Sequence, residues 1–187
     1  SNTVTLKATD VSGNTHTCTA TVTVKDVSAP VALCKNATVT LNNAGQGTLL
    51  ALQLHNGITD NCGLSSMTLS KTQFSCSDLP GSSQSVTLTL KDASNNTSSC
   101  QAQVTTKDFI TPTAFCENTT VQLGANGTVI VYGSQLAGDS YDNCSVWSYS
   151  PTAKVYTTAN MGNNNLTITV KDWSGNGSTC VSVVRVT

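Results

Sequence analysis

The acidic residues of this chain are lopsided: nine aspartates stand against a single glutamate, Glu117. Glutamate suits helix surfaces, whereas aspartate belongs to turns, caps and metal loops, so acidity here serves loops. Carboxylates gathered in one place repel unless protons or a cation neutralise them. The cation that fits carboxylates, carbonyls and water is Ca²⁺, which takes about 6 to 8 oxygen ligands. Eight cysteines supply the second chemistry. None has the C-x-x-C spacing, which argues against zinc and thioredoxin-type exchange and for an extracellular disulfide framework. His16 and His55 stand in no Ser/His/Asp or Cys/His setting. Asp139 and Asp142 form a glycosidase-like pair only on paper, because a short exposed loop does not supply the cleft that raises a catalytic pKa. Phosphate-cradling glycine loops are absent. The chain does not read as an enzyme.

What positions these groups is a repeat. KATDVSGNTHTCTATVTVKD (7–26) recurs as KDASNNTSSCQAQVTTKD (91–108) and as KDWSGNGSTCVSVVRVT (171–187). PVALCKNATVTL (30–41) matches PTAFCENTTVQL (112–123), and TDNCGL (59–64) matches YDNCSV (141–146). Three blocks keep their order at one period, which divides the chain into 27–108 and 109–187. Residues 1–26 match only the last third of a repeat. A lone two-stranded hairpin is marginal, so its remaining strands are expected upstream of Ser1 or from another chain.

Within each repeat the period is two. Val86, Leu88 and Leu90 alternate with threonines, as do Leu166, Ile168 and Val170; Cys100, Ala102 and Val104 alternate with polar residues. Further strands are expected at 31–41, 47–54, 63–69 and 71–76, separated by turn clusters such as NNAGQG and DLPGSS. Thirty-one threonines and only 10% charged residues agree with a pleated surface rather than helices. The expected fold is all-β: tandem immunoglobulin-like sandwiches arranged end to end. The formal charge of -1 excludes a nucleic-acid footprint, and no apolar run approaches the ~18 residues of a membrane span.

Cys34 opens the first strand of its repeat and Cys100 the last, and these strands can lie side by side. The expected pairs are Cys34–Cys100 and Cys116–Cys180, with Cys62–Cys76 flanking a hairpin. Each long loop closed stabilises its module by roughly 4 kcal/mol. Cys18 then awaits an upstream partner, and Cys144 is left as a free thiol or an intermolecular link. Sequons at Asn36, Asn95, Asn96, Asn118, Asn126, Asn143, Asn165 and Asn176, with so little charge, point to glycosylation.

The order Asp-Asn-Cys, then V-T-L-x-x-x-D-x-S-G-N, then Cys with alternating valines, then Asp, resembles the hyalin repeat. It is more similar still to the hyalin-like (HYR-like) repeats of large secreted bacterial surface proteins. The carriers are Asp60, Asn61, Cys62, Asp92–Asn96, Cys100 and Asp108, then Asp142, Asn143, Cys144 and Asp172–Asn176. Two departures are SNN in place of SGN at 94–96, and Thr158 where a counterpart of Cys76 would fall. The resemblance implies an immunoglobulin-like fold, an extracellular location, and adhesion or extended structure without catalytic residues.

Threading the modules end to end brings particular loops together. Asp26, Asp60, Asn61, Asp92 and Asn96 are expected at the first junction, and Asp108, Asp139, Asp142, Asn143, Asp172 and Asn176 at the second. Two readings stand: junctional Ca²⁺, or carboxylates that only cap their own turns, each compensated by a preceding lysine at four of the positions. Trp147 and Trp173, with Tyr141 and Tyr149 nearby, form either a junction contact or a sugar platform. The leading function is a structural segment of an extracellular fibre whose partners are neighbouring modules. The alternatives are an adhesin module binding carbohydrate or a cell surface, and an accessory domain of a secreted enzyme.

Overall fold

The computed structural model describes residues 2–79 and 83–187. Strands β1 (Asn2–Thr9) and β2 (Thr15–Val22) form a separate two-stranded sheet. Next come β3 (Ala37–Thr40), β4 (Gln46–Thr48), a single helical turn α1 (Ala51–Leu54), β5 (Leu64–Leu69), β6 (Gln73–Ser75), β7 (Gln84–Asp92) and β8 (Thr97–Lys107). The same order repeats as β9 (Thr119–Val121), β10 (Thr128–Tyr132), α2 (Gly133–Leu136), β11 (Val146–Ser150), β12 (Ala153–Thr157), β13 (Gly162–Asp172) and β14 (Gly177–Val186). Each set builds a four-stranded sheet, β3-β8-β7-β5 or β9-β14-β13-β11, and a two-stranded one, β4-β6 or β10-β12. The first strand runs parallel to the last and the other pairs are antiparallel, which is the immunoglobulin-like arrangement. The protein is all-β.

Two cores result from the alternation. Val86, Leu88 and Leu90 of β7 and Ala102 and Val104 of β8 pack with Leu49, Leu54 and Phe74. In the second sandwich Leu166, Ile168 and Val170 pack with Val131, Leu136, Tyr156 and Val184. Tyr156 occupies the place of Phe74, and its hydroxyl is buried without a partner. The expected strand 47–54 is shorter than its apolar run suggests. After Thr48 the chain makes a helical turn, because Gln53 Oε1 accepts the Leu50 N–H at 2.7 Å; Gln135 does the same for Tyr132 at 2.9 Å.

The β1–β2 hairpin carries the same inward pattern, and nothing among the described residues covers it. Val4, Leu6 and Val22 are 52%, 67% and 46% exposed, whereas their repeat counterparts Val86, Leu88 and Val104 are each 0%. The hairpin thus repeats the pattern of the last two strands of each sandwich, β7–β8 and β13–β14.

Disulfides tie Cys34 to Cys100 and Cys116 to Cys180, each joining the segment before the first strand to the last strand. The third bridge corrects the sequence expectation. Cys76 pairs with Cys144 of the following sandwich, across 68 residues, and not with Cys62. Cys62 and Cys18 are free and exposed. The physical reason is placement: the turn after β6 faces the Asp142–Cys144 loop of the next module, with Asn143 Nδ2 donating to the Asn42 carbonyl at 3.1 Å. Gly45 makes room for this contact. Its φ is +68, and a Cβ there would stand 2.5 Å from Cys76 Sγ and 2.8 Å from the Asn143 carbonyl oxygen.

Candidate metal centre at the module junctions

The strand period itself delivers the carboxylates. Asp92 follows Val86, Leu88 and Leu90 on the inward face of β7, and Asp172 follows Leu166, Ile168 and Val170 on β13; both acids are 1% exposed. Asp108 continues the inward series of β8 one step beyond the strand and is 3% exposed. Asp60 and Asp142 come from the loop before β5 or β11, where each caps its own turn through the N–H of Cys62 or Cys144.

These sources converge twice. One carboxylate oxygen each from Asp26, Asp60 and Asp92 lie within 4.8 Å of one another, and so do those from Asp108, Asp142 and Asp172. Each triad takes one acid from the segment just after a last strand, Asp26 after β2 or Asp108 after β8, and two from the sandwich that follows. The asparagines fasten the same place: Asn96 Nδ2 donates to the carbonyls of Asp26 and Ser28, and Asn176 Nδ2 to those of Asp108 and Ile110. Asn61 Nδ2 reaches Asp26 Oδ1 at 3.3 Å, and Asn143 Nδ2 reaches Asp108 Oδ1 at 3.2 Å.

Burial pushes the Asp142 carboxyl above its ordinary range; the Cys144 N–H opposes this, and the Asp108 and Asp172 charges add to the rise. Asp26 is held low, chiefly by the Ser28 N–H and then by Asn61. Asp26 in turn pushes the neighbouring Cys62 thiol up. The lysines before these aspartates do not neutralise them: among the described residues the one ion pair is Lys71–Asp78, at 2.6 Å.

Asp139 departs from expectation. It is exposed, beside Glu117, Gln135 and Gly138, and takes no part in the second triad. The reason is that α2 ends at Leu136, and the turn after it carries Asp139 away before Asp142 is reached. Asp10 makes the same turn: it accepts from Asn14 N and Nδ2 as Asp92 does from Asn96 and Asp172 from Asn176.

The aromatic residues divide. Trp147 and Trp173 have ring centroids 3.5 Å apart and are 57% and 44% exposed. A β-bulge between Val146 and Ser148 turns Trp147 outward onto Trp173, whereas Tyr149 beyond the bulge packs against the core and leaves the platform. Trp173 also lines a groove with Leu79, Thr106 and Phe109, at the junction. Among the sequons, Asn96, Asn143 and Asn176 have their Nδ2 atoms committed to junction bonds, while Asn36, Asn95, Asn118, Asn126 and Asn165 are exposed. Among the described residues no helix is long and apolar enough to cross a membrane.

No protein-family model and no curated protein sequence match the chain. Among solved structures it is similar to the I-band fragment I67-I69 from titin, at 13% identity and TM-score 0.42, covering 99% of this chain and 74% of that one. The structure of mouse clustered PcdhgC3 EC1-3 gives 14% identity and TM-score 0.36, over 99% of this chain and 76% of that one. Sidekick-1 immunoglobulin domains 1-4 give 9% and 0.43, over 97% and 57%. At these identities and scores the likeness carries no argument about what this chain does or binds.

Proposed function

We propose that the chain is a structural segment of an extracellular tandem array, of the hyalin-like kind that its motifs resemble, in which length and rigidity are the function. The observation that carries this reading is the Cys76–Cys144 bridge, a covalent tie from one sandwich to the next. In such an array each unit mainly contacts its neighbours, so length is gained without a larger core. The free cysteines fit the same plan. Cys18 stands where Cys100 and Cys180 stand in their repeats, and Cys62 where Cys144 stands, so a module preceding 27–108 would engage both. Three disulfides agree with secretion. Glycans on the five exposed sequons would supply solubility that a 10% charged surface lacks.

Electron microscopy of native material tests the reading. Thin filaments with an axial repeat of one module are expected; dispersed single particles would contradict it. The exposed Trp147–Trp173 pair favours a second reading, an adhesin module that binds carbohydrate. Saccharide titration of the tryptophan fluorescence separates the two, since only the adhesin predicts saturable quenching.

A further inference from the structure

We propose that the second junction is a Ca²⁺ site formed by Asp108, Asp142 and Asp172, and that the ion fixes one module against the next. Turn chemistry accounts for part of these side chains. Asp172 accepts from Asn176 N and Nδ2, Asp142 Oδ2 from the Cys144 N–H, and Asp108 Oδ1 from the Ile110 N–H and Asn143 Nδ2. It leaves Asp108 Oδ2 and Asp142 Oδ1 buried with no partner, although Asp108 is 97% buried by its 3% exposure. Buried charged oxygens without a partner are costly, so something outside the protein satisfies them. Asn143 Oδ1, in the same loop, is a further buried oxygen with no partner.

The donor set chooses the ion. It is all oxygen, because Cys144 is committed to its disulfide, and this favours hard cations over zinc or copper. Ca²⁺ holds its ligands at about 2.3–2.6 Å, so two of them lie at most roughly 5 Å apart. The three acids meet that limit, with one oxygen of each lying within 4.8 Å of the others. At the first junction the equivalent atoms, Asp26 Oδ2 and Asp60 Oδ1, are likewise buried and unpartnered. The second junction is the better formed, with two of its three acids buried against one at the first. There the Cys76–Cys144 bridge also holds the ligand loop.

The site rests on the contact between modules and not on the fibre reading, so the two fail separately. The probe is Tb³⁺ in place of Ca²⁺. Both tryptophans and all four tyrosines lie at residue 132 or beyond, and Trp173 adjoins Asp172, so emission excited through aromatic rings reports the second junction. Titrating the intact chain is expected to give saturable emission that Ca²⁺ displaces. In Asp142→Asn the affinity falls by about tenfold or more, whereas Asp60→Asn at the first junction leaves it unchanged. The thermal transition of the wild-type chain rises by roughly 5 to 10 °C at a hundredfold excess of Ca²⁺ over its Kd. Emission that does not saturate, Ca²⁺ that fails to displace Tb³⁺, equal binding by Asp142→Asn, or a transition indifferent to Ca²⁺ each overturns the proposal.

Discussion

Replacing Cys76 and Cys144 together by serine removes the disulfide that ties one sandwich to the next. The bridge closes a loop of 68 residues that takes in the end of one module and the start of the next. Chain-entropy arithmetic gives about 4 kcal/mol for a loop of that size. Spread over the roughly 160 residues of the two sandwiches, at about 2–4 °C per kcal/mol, this is a drop of roughly 8 to 16 °C in Tm. The bridge also makes unfolding of one module a constraint on the other. Calorimetry of the wild-type chain, stripped of metal, is therefore expected to show the two sandwiches melting together, and the double variant two resolved transitions. The control is Cys34→Ser with Cys100→Ser, whose loop lies within one module; it keeps the junction bridge, so the two sandwiches still melt together, at a lower temperature. A double junction variant that melts within about 2 °C of wild type, in one transition, would refute the reasoning. The modules would then be coupled by their non-covalent contacts alone.

Three further outcomes follow from particular residues. Tyr156→Phe removes a buried hydroxyl that has no partner and restores what Phe74 already is in the first sandwich; stability is expected to rise by about 1 kcal/mol in denaturant titration, and a fall would show that the hydroxyl is satisfied. Gly45→Ala places a Cβ against Cys76 Sγ and the Asn143 carbonyl, whereas Gly127→Ala, at a similar φ of +73, meets only Thr158 Cγ2 at 3.8 Å. Both suffer backbone strain, but only Gly45→Ala should open the junction to limited proteolysis between the modules; equal cleavage of the two variants would contradict this. In metal-free protein the raised Asp142 carboxyl favours the folded state when protonated. Its stabilising effect is present below the ordinary carboxylate range, about pH 4, and is lost as pH rises through the higher folded value. The difference in Tm between wild type and Asp142→Asn should therefore move against wild type as pH rises, and a pH-independent difference would count against the assignment.

Much of this was legible in residue patterns, for identifiable reasons. Period-two alternation placed Val86, Leu88, Leu90 and their counterparts because a strand sends alternate side chains to one face, whatever its neighbours do. The same rule carried Asp92 and Asp172 inward at the ends of their strands, and strand direction put Asp108, Asp142 and Asp172 at one junction. Cys76–Cys144 was not legible from local spacing, because its partners meet only where two modules abut. The count held the clue: pairing Cys76 with Cys144 leaves Cys18 and Cys62, the counterparts of Cys100 and Cys144, as the free pair, and it removes the unexplained Cys144. The helical turn 51–54 was hidden because its apolar run, Leu49 to Leu54, suits a buried strand equally well. Gln53 and Gln135, at matched places in both repeats, are what turn the chain there. The outward turn of Trp147 and the inward one of Tyr149 depend on a bulge that no residue type announces.

One claim stands under the rest: the turn after β6 of one sandwich is sewn by sulfur to the Asp-Asn-Cys loop of the next. Peptide mapping of the 187-residue chain by mass spectrometry, digested without reduction and after alkylation, examines it directly. The account predicts a linked peptide pair holding Cys76 and Cys144, with Cys18 and Cys62 carrying the alkyl label. A linked pair holding Cys62 and Cys76, with the label on Cys144, would contradict it.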